Sequence, residues 1–275
     1  MIRVSRASLP GIYALLSIFL MVVWFPLVWV ILTSIRSRSE TLAYPPVWFF
    51  KPTMEGFIYN ISASSDFLKA LFNSVYVAGF STIMVLILAI PAAYALARFR
   101  FPGKENIGFY IISTKMTPPI VVLFAFYIMF ARLGLLRTRL GLIILHVALN
   151  LPLAVWLLKS FFETLPKAIE EAAKIDGCDD FGVMWRITFP LTYPGILVTA
   201  VLCVLFSWTE FIFASTVTDP ATRTVPVLIY SWISFSQIYW ERVAAAGILY
   251  VIPVLIFSFA IRKDLLRGMS FGLLK

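Results

Sequence analysis

Residues 7–35 read ASLPGIYALLSIFLMVVWFPLVWVILTSI, an apolar run that contains no Asp, Glu, Lys or Arg. A bilayer with about 30 Å of hydrocarbon is crossed by roughly 20 helical residues, so this run is long enough for one span. Arg3 and Arg6 precede it, as basic residues precede a secretory leader. The apolar core of a cleaved leader is only roughly 7–15 residues long and ends at a site of A-x-A type, which does not follow here. The stretch therefore reads as a retained first span.

The rest of the 275-residue chain has the same character: 61% of its residues are hydrophobic, 16% aromatic and 13% charged, with a mean hydropathy of +0.92. A water-soluble domain carries about 25% charged residues, so the composition is that of a membrane protein. The formal net charge of +9 does not point to nucleic acid, because Lys and Arg stand singly at the ends of apolar runs instead of forming a phosphate-binding stripe. Two cysteines and one histidine make neither a disulfide framework nor a clustered metal site.

Apolar windows near 11–34, 70–97, 107–130, 140–160, 192–214 and 243–262 predict six transmembrane helices, an all-α polytopic membrane protein with one domain over 1–275. Lys115 interrupts the third window and Glu210 the fifth. Six spans place both termini on one side. With the termini inside, the inner segments hold thirteen Lys and Arg against nine outside, so both termini and the loop of about 161–193 are expected in the cytoplasm.

That loop contains LPKAIEEAAKIDG (165–177). Pro166 suits a helix start and Gly177 the position just past its end, predicting a helix near 167–176. At 100° per residue Leu165, Ile169, Ala172 and Ala173 share a stripe opposite Lys167, Glu170, Glu171 and Lys174. Ion pairs are expected between Lys167 and Glu171 and between Glu170 and Lys174. So short a helix is marginal in water, and its small alanine face suits close approach by another protein. Asp179 or Asp180 is placed to cap a second short helix, FGVMWRI, which Pro190 is expected to end.

The spacing Glu171-Ala172-Ala173, then Gly177, then Ile187 and Pro190 resembles the cytoplasmic EAA loop of ABC-importer permeases. SFFETLPKAIEEAAKIDG (160–177), RITFPLTYPGI (186–196), YALARFRFPGK (94–104), WTEFIFA (208–214) and the ending LLRGMSFGLLK extend the likeness along the chain to six-span maltose-type permeases of the carbohydrate class. Cys178, Trp185 and Phe189 stand where that family usually has Ala, Phe and Leu. TKMTPP (114–119) is most similar to polyol-type members. The resemblance implies one of two permease subunits in a heterodimer, serving an extracytoplasmic solute-binding protein and two copies of a nucleotide-binding ATPase. It implies that Glu170, Glu171, Ala172, Ala173, Asp176, Gly177, Ile187 and Pro190 form the ATPase-coupling segment. It also implies that the tail with Gly268, Ser270, Gly272 and Lys275 reaches toward the ATPases. The chain has no G-x-x-x-x-G-K-[ST] segment, so ATP and Mg²⁺ are expected on the partner and no cofactor or enzyme activity here.

Ionisable residues inside spans are functional candidates by default. Lys115, Glu210 and Asn150 are the candidates for a translocation path. Lys115 either snorkels to the cytoplasmic surface or faces a cavity, beside Pro118-Pro119, where a kink is expected. Glu210 either lines the path or sits at the outer interface. His146 and Asn150, one turn apart, suit a hydrogen bond to each other or to another helix. Arg132, Arg137 and Arg139 form either a solvated loop or an acidic partner's dock. A rival reading is an ion-coupled secondary transporter with Lys115 and Glu210 as its relay.

Overall fold

The computed structural model describes residues 9–62, 65–233 and 238–270. Its helices divide between two compact units. The larger takes in the described residues of Lys69–Leu228 and Pro253–Lys275; the smaller takes in those of Met1–Leu68 and Ile229–Ile252.

Among the described residues, five helices are long and apolar enough to cross a membrane: Gly11–Ser34, Phe67–Arg98, Arg139–Thr164, Asp180–Trp208 and Trp240–Phe259. Each carries an internal proline, at 26, 91, 152, 194 and 253. Membrane helices tolerate this because neighbouring helices and hydroxyl side chains satisfy the freed backbone groups.

The expected third span is not one straight helix. Lys104–Met116 and Pro119–Arg132 are bent by 95° about Thr117 and Pro118. Paired prolines remove two backbone donors and force the preceding residue to be extended, so the kink anticipated from the sequence is a full break. The expected fifth span, 192–214, also ends early, at Trp208. Glu210 accepts hydrogen bonds from the backbone N–H of Phe213 (2.8 Å) and Ala214 (2.9 Å), which starts a new short helix, Ile212–Val217.

In the larger unit, the inner cluster joins Tyr94, Ala97, Leu158, Phe162, Met184 and Ile196. A second cluster joins Val77, Phe130, Leu142, Leu145, Phe213 and Ala214. Buried polar groups tie the same helices together. Asn73 donates to the carbonyls of Ala221 (3.1 Å) and Arg223 (3.0 Å) and accepts from Arg139 Nε (2.8 Å). Arg139 also lies over the rings of Phe72 and Tyr76, so it fastens the fold and does not wait for an acidic partner.

In the smaller unit, Leu9–Ser34 is followed by a turn in which Ser37 and Glu40 form a reciprocal capping box. Gly56 lies where an added Cβ would come within 2.6 Å of the Glu241 carbonyl. Asn60 donates to the carbonyls of Gly56 and Arg242, binding Glu55–Ile61 to the start of Trp240–Ser270.

Gly195 marks a close helix approach in the larger unit: an added Cβ would fall on the ring of Phe161. Gly79, also in a helix, has open space around the same position. Gly195→Leu is therefore expected to cost about 1–3 kcal/mol through overpacking. Gly79→Ala should leave the thermal unfolding temperature of the purified transporter unchanged or slightly raised.

Candidate functional site

The loop expected in the cytoplasm begins where Arg139–Thr164 ends. Pro166 precedes Lys167–Ile175, and its fixed φ suits a helix entry. At the other end Gly177 adopts φ +92°, donating from its N–H to Lys174, while Cys178 donates to Ala173. Those two bonds are the paired 5→2 and 6→1 bonds of a Schellman motif, which needs a left-handed residue at this position. The helix and its glycine stop are thus where the sequence places them.

Its rotation is not. Glu170 and Ala173 are the buried residues of the helix, whereas Ile169 and Ala172 are exposed. The expected stripe is split because a charge that periodicity assigns to solvent finds a partner inside. Arg98, the last residue of Phe67–Arg98, donates from Nε to Glu170 Oε1 at 2.9 Å and lies 2.9 Å from Oε2. Its Nη2 reaches the Leu165 carbonyl at 3.1 Å, and the Thr188 hydroxyl donates to Glu170 Oε1 at 2.7 Å. Both charged side chains are less than 10% exposed, at 7% and 8%. Lys174 pairs with Asp180 instead of Glu170, and that hydrogen bond holds its ammonium above the usual lysine range. Support for this short helix therefore comes from its own chain.

The following segment also departs from expectation. Asp179 caps it, accepting from the Gly182 N–H at 2.9 Å. Pro190 does not end it: a wide π turn, Val183–Thr188, runs directly into Phe189–Trp208. A wide turn absorbs the donor that proline lacks, so the chain stays helical from Asp180 to Trp208. Val183 and Met184 are buried under the loop, and Ile187 is half-buried.

What remains outside is a compact face. Glu171, Ala172 and Asp176 are exposed there, together with Ile175 at 86% and Phe181 at 67%. Trp185 stacks obliquely between Phe181 and Phe189, with ring centroids 6.1 and 5.2 Å away. Arg98 and Thr188 were not singled out by the sequence, nor were Ile175 and Phe181, and Trp185 stood out only as a departure from the family pattern. Ile175 carried a signal, an isoleucine between Lys174 and Asp176 on a charged helix end. Arg98 carried none that separates it from Arg100.

The three path candidates converge on one cavity of about 290 Å³, where Lys115, His146, Asn150, Thr209 and Glu210 are set among apolar residues that include Leu149, Phe206, Ile212 and Phe213. Lys115 is exposed and also faces this cavity. Its ammonium donates to the Leu149 carbonyl at 2.9 Å and lies 5.2 Å from the Phe206 ring centroid. It also lines a neighbouring cavity of about 440 Å³ beside Pro119 and Pro152. Asn150 donates to Ser207 (3.0 Å), which pairs with Ser81 (3.2 Å), a polar chain across three helices. It does not bond His146, whose two ring nitrogens are buried without a hydrogen-bond partner and whose Nε2 lies 3.8 Å from Glu210. Of the tail, Gly268 and Ser270 belong to the helix that ends at Ser270, and their side chains, like Gly272 and Lys275, lie outside the described residues. No group of three potential metal ligands occurs among the described residues.

Known proteins resemble this chain in sequence and in fold. Residues 86–270 match the family described as binding-protein-dependent transport system inner membrane component. The chain is similar to the sulfoquinovosyl glycerol transport system permease protein SmoH of Agrobacterium fabrum, at 33% identity over 91% of this chain and 88% of that one. It is similar to the trehalose/maltose transport system permease protein MalG of Thermococcus litoralis, at 32% identity over 91% of each. Among solved structures, a chain of a bacterial ABC transporter involved in the import of the acidic polysaccharide alginate superposes with a TM-score of 0.80 at 23% identity, over 96% of this chain and 99% of that one. The membrane helices, the loop and these matches together make the chain a member of the binding-protein-dependent transport system inner membrane components, the membrane permeases of ABC importers.

Proposed function

We propose that this permease carries a sugar, polyol or sugar derivative inward, handed over by an extracytoplasmic binding protein, with both of its own termini in the cytoplasm. It works as a heterodimer with a second permease, and two copies of an ATPase, which hold ATP and Mg²⁺, drive it. The names of its relatives support the cargo class, since the two permeases are named for glycosides and the matched transporter for a polysaccharide. Dependence on a binding protein weighs against the ion-coupled secondary transporter.

The observation that carries the coupling reading is the exposed face of the inner loop. Glu171, Ala172, Ile175 and Asp176 lie outward on a helix whose other side is pinned by the Arg98–Glu170 pair. A soluble protein rarely leaves such an apolar tip uncovered without a partner. The ATPase would cover it, with Ala172 allowing close approach and Glu171 and Asp176 at the rim. Ala173 faces its own chain, so its smallness serves the helix's seat on the Val183–Thr188 turn. Closure of the ATPases on ATP would push the knob as one piece, and the spans would rock between inward-open and outward-open states. Lys115, Glu210 and Asn150 would line the cargo's route.

Gly177 tests the coupling. Its φ of +92° disfavours any side chain, although space for a Cβ is open. Gly177→Val should cost about 1–2 kcal/mol in local strain and uncouple uptake from ATP hydrolysis, whereas Gly177→Asn should be tolerated. Uptake and binding-protein-stimulated ATPase activity in proteoliposomes check this; unimpaired coupling in Gly177→Val would contradict it.

The ion pair gives a second expectation. Arg98→Leu, which leaves Glu170 buried alone, should destabilise by about 3–5 kcal/mol, and Arg98→Leu with Glu170→Leu should recover much of that loss. Thermal unfolding of the four members of the double-mutant cycle measures the coupling energy.

A further inference from the structure

The smaller unit contains a cavity of its own, which shares no lining residue with the two already described. Arg36 lies two residues beyond the Leu9–Ser34 helix and is only 3% exposed. Its Nε and Nη2 are buried and have no hydrogen-bond partner, and no carboxylate pairs with it among the described residues. Glu40, four residues on, is committed to the Ser37 N–H and hydroxyl, at 3.1 and 2.7 Å. Glu241 is buried in the same unit, with one oxygen 3.8 Å from Arg242. The guanidinium carbon of Arg36 lies 4.9 Å from the Trp29 ring centroid and 4.6 Å from that of Phe50. Ring faces attract the charge but do not offer the directional acceptors that its N–H groups require. Hydrogen bonds from Ser37 and, in smaller part, the nearby Arg36 charge hold the Glu40 carboxyl below the usual range, yet Glu40 makes no direct ion pair with Arg36, and a buried guanidinium without a hydrogen-bonded anion is costly.

Beside it lies a cavity of about 430 Å³ whose walls are Trp29, Val30, Thr33, Trp240, Val243 and Ala244. The walls are mostly apolar, and Arg36 supplies the charge. The helix leading to it exposes apolar side chains from Ile12 to Ile31, as a helix in hydrocarbon does. After 26 residues at 1.5 Å each, its end falls at headgroup depth. Aromatic residues mark that depth: Trp29 and Trp240 in the cavity, and Trp48 and Phe49 exposed nearby in sequence at 60% and 97%. Arg38 and Arg242, which lie over the Tyr239 ring, add positive charge in the same unit.

We propose that this cavity binds an anionic phospholipid, its phosphate hydrogen-bonded to the Arg36 guanidinium and its first acyl methylenes against Val30, Val243 and Ala244. An arginine fork matches phosphate oxygens bidentately, and a partly apolar pocket at headgroup depth favours a lipid over a soluble anion. The lipid would fasten the first span and the start of the last-described long helix, both of which line the cavity.

The test uses the complete transporter, purified with all its subunits, stripped of lipid and offered phosphatidylglycerol or phosphatidylethanolamine with identical acyl chains. Native mass spectrometry reads the lipid retained. The wild type should retain phosphatidylglycerol about tenfold better, Arg36→Gln should lose that preference, and Arg36→Lys should keep part of it. Val243→Phe, which narrows the acyl side of the cavity but leaves Arg36, should retain less phosphatidylglycerol than the wild type, and it decides the matter if Arg36→Gln fails to assemble. Equal retention of the two lipids by the wild type would overturn the proposal. So would an unchanged preference in Arg36→Gln, or glycerol 3-phosphate displacing the lipid at similar concentration. Loss of the second permease from Arg36→Gln with lipid preference intact would assign the guanidinium to a protein partner and overturn it as well.

Discussion

The geometry of the inner loop depends on one buried ion pair, Arg98 with Glu170. It joins the end of one long helix to the first turn of the loop helix, and Thr188 brings the next helix to the same carboxylate. Three elements distant in sequence thus share a single charged centre. Desolvating two charges is expensive, and the pair persists because the carboxylate accepts one further hydrogen bond, from the Thr188 hydroxyl, and the guanidinium also holds the Leu165 carbonyl. The return is specificity of orientation: with Glu170 inside, the helix has only one rotation available. Ile175 and Ala172 are then outside whether or not a partner is present.

This explains which parts of the loop were legible. The Pro166 start and the Gly177 stop are local properties of the backbone, and local rules predicted them. The rotation is a tertiary property, decided by a residue 72 positions away, and helical periodicity put Glu170 on the solvent face. Pro190 failed as a stop for a similar reason. Its cost is local, but the neighbouring π turn and the packed Val183 and Met184 let the helix continue.

In the membrane the same division holds. Apolar length announced the spans, and Pro118-Pro119 announced a distortion, though not its 95° size. Lys115 and Glu210 stood out as charges in apolar runs, and both line the same cavity. What sequence could not reveal is that each is also bound to backbone, Lys115 to a carbonyl and Glu210 to two N–H groups. Such groups shape the cavity as well as face it. Arg36 shows the converse case, because composition marked it as an ordinary flanking charge and only packing reveals its unpaired guanidinium.

The proposal that the loop's outward face seats an ATPase is tested most directly by disulfide cross-linking in the assembled transporter, with Cys178→Ser and Cys203→Ala as background. A cysteine at Ile175 should cross-link to a cysteine in the ATPase groove, and the yield should change on adding ATP. A cysteine at Ala173, two residues away but facing its own chain, should not. Equal yields from the two positions, or cross-linking from Ala173 alone, would contradict the orientation set by Arg98 and Glu170 and the coupling role built on it.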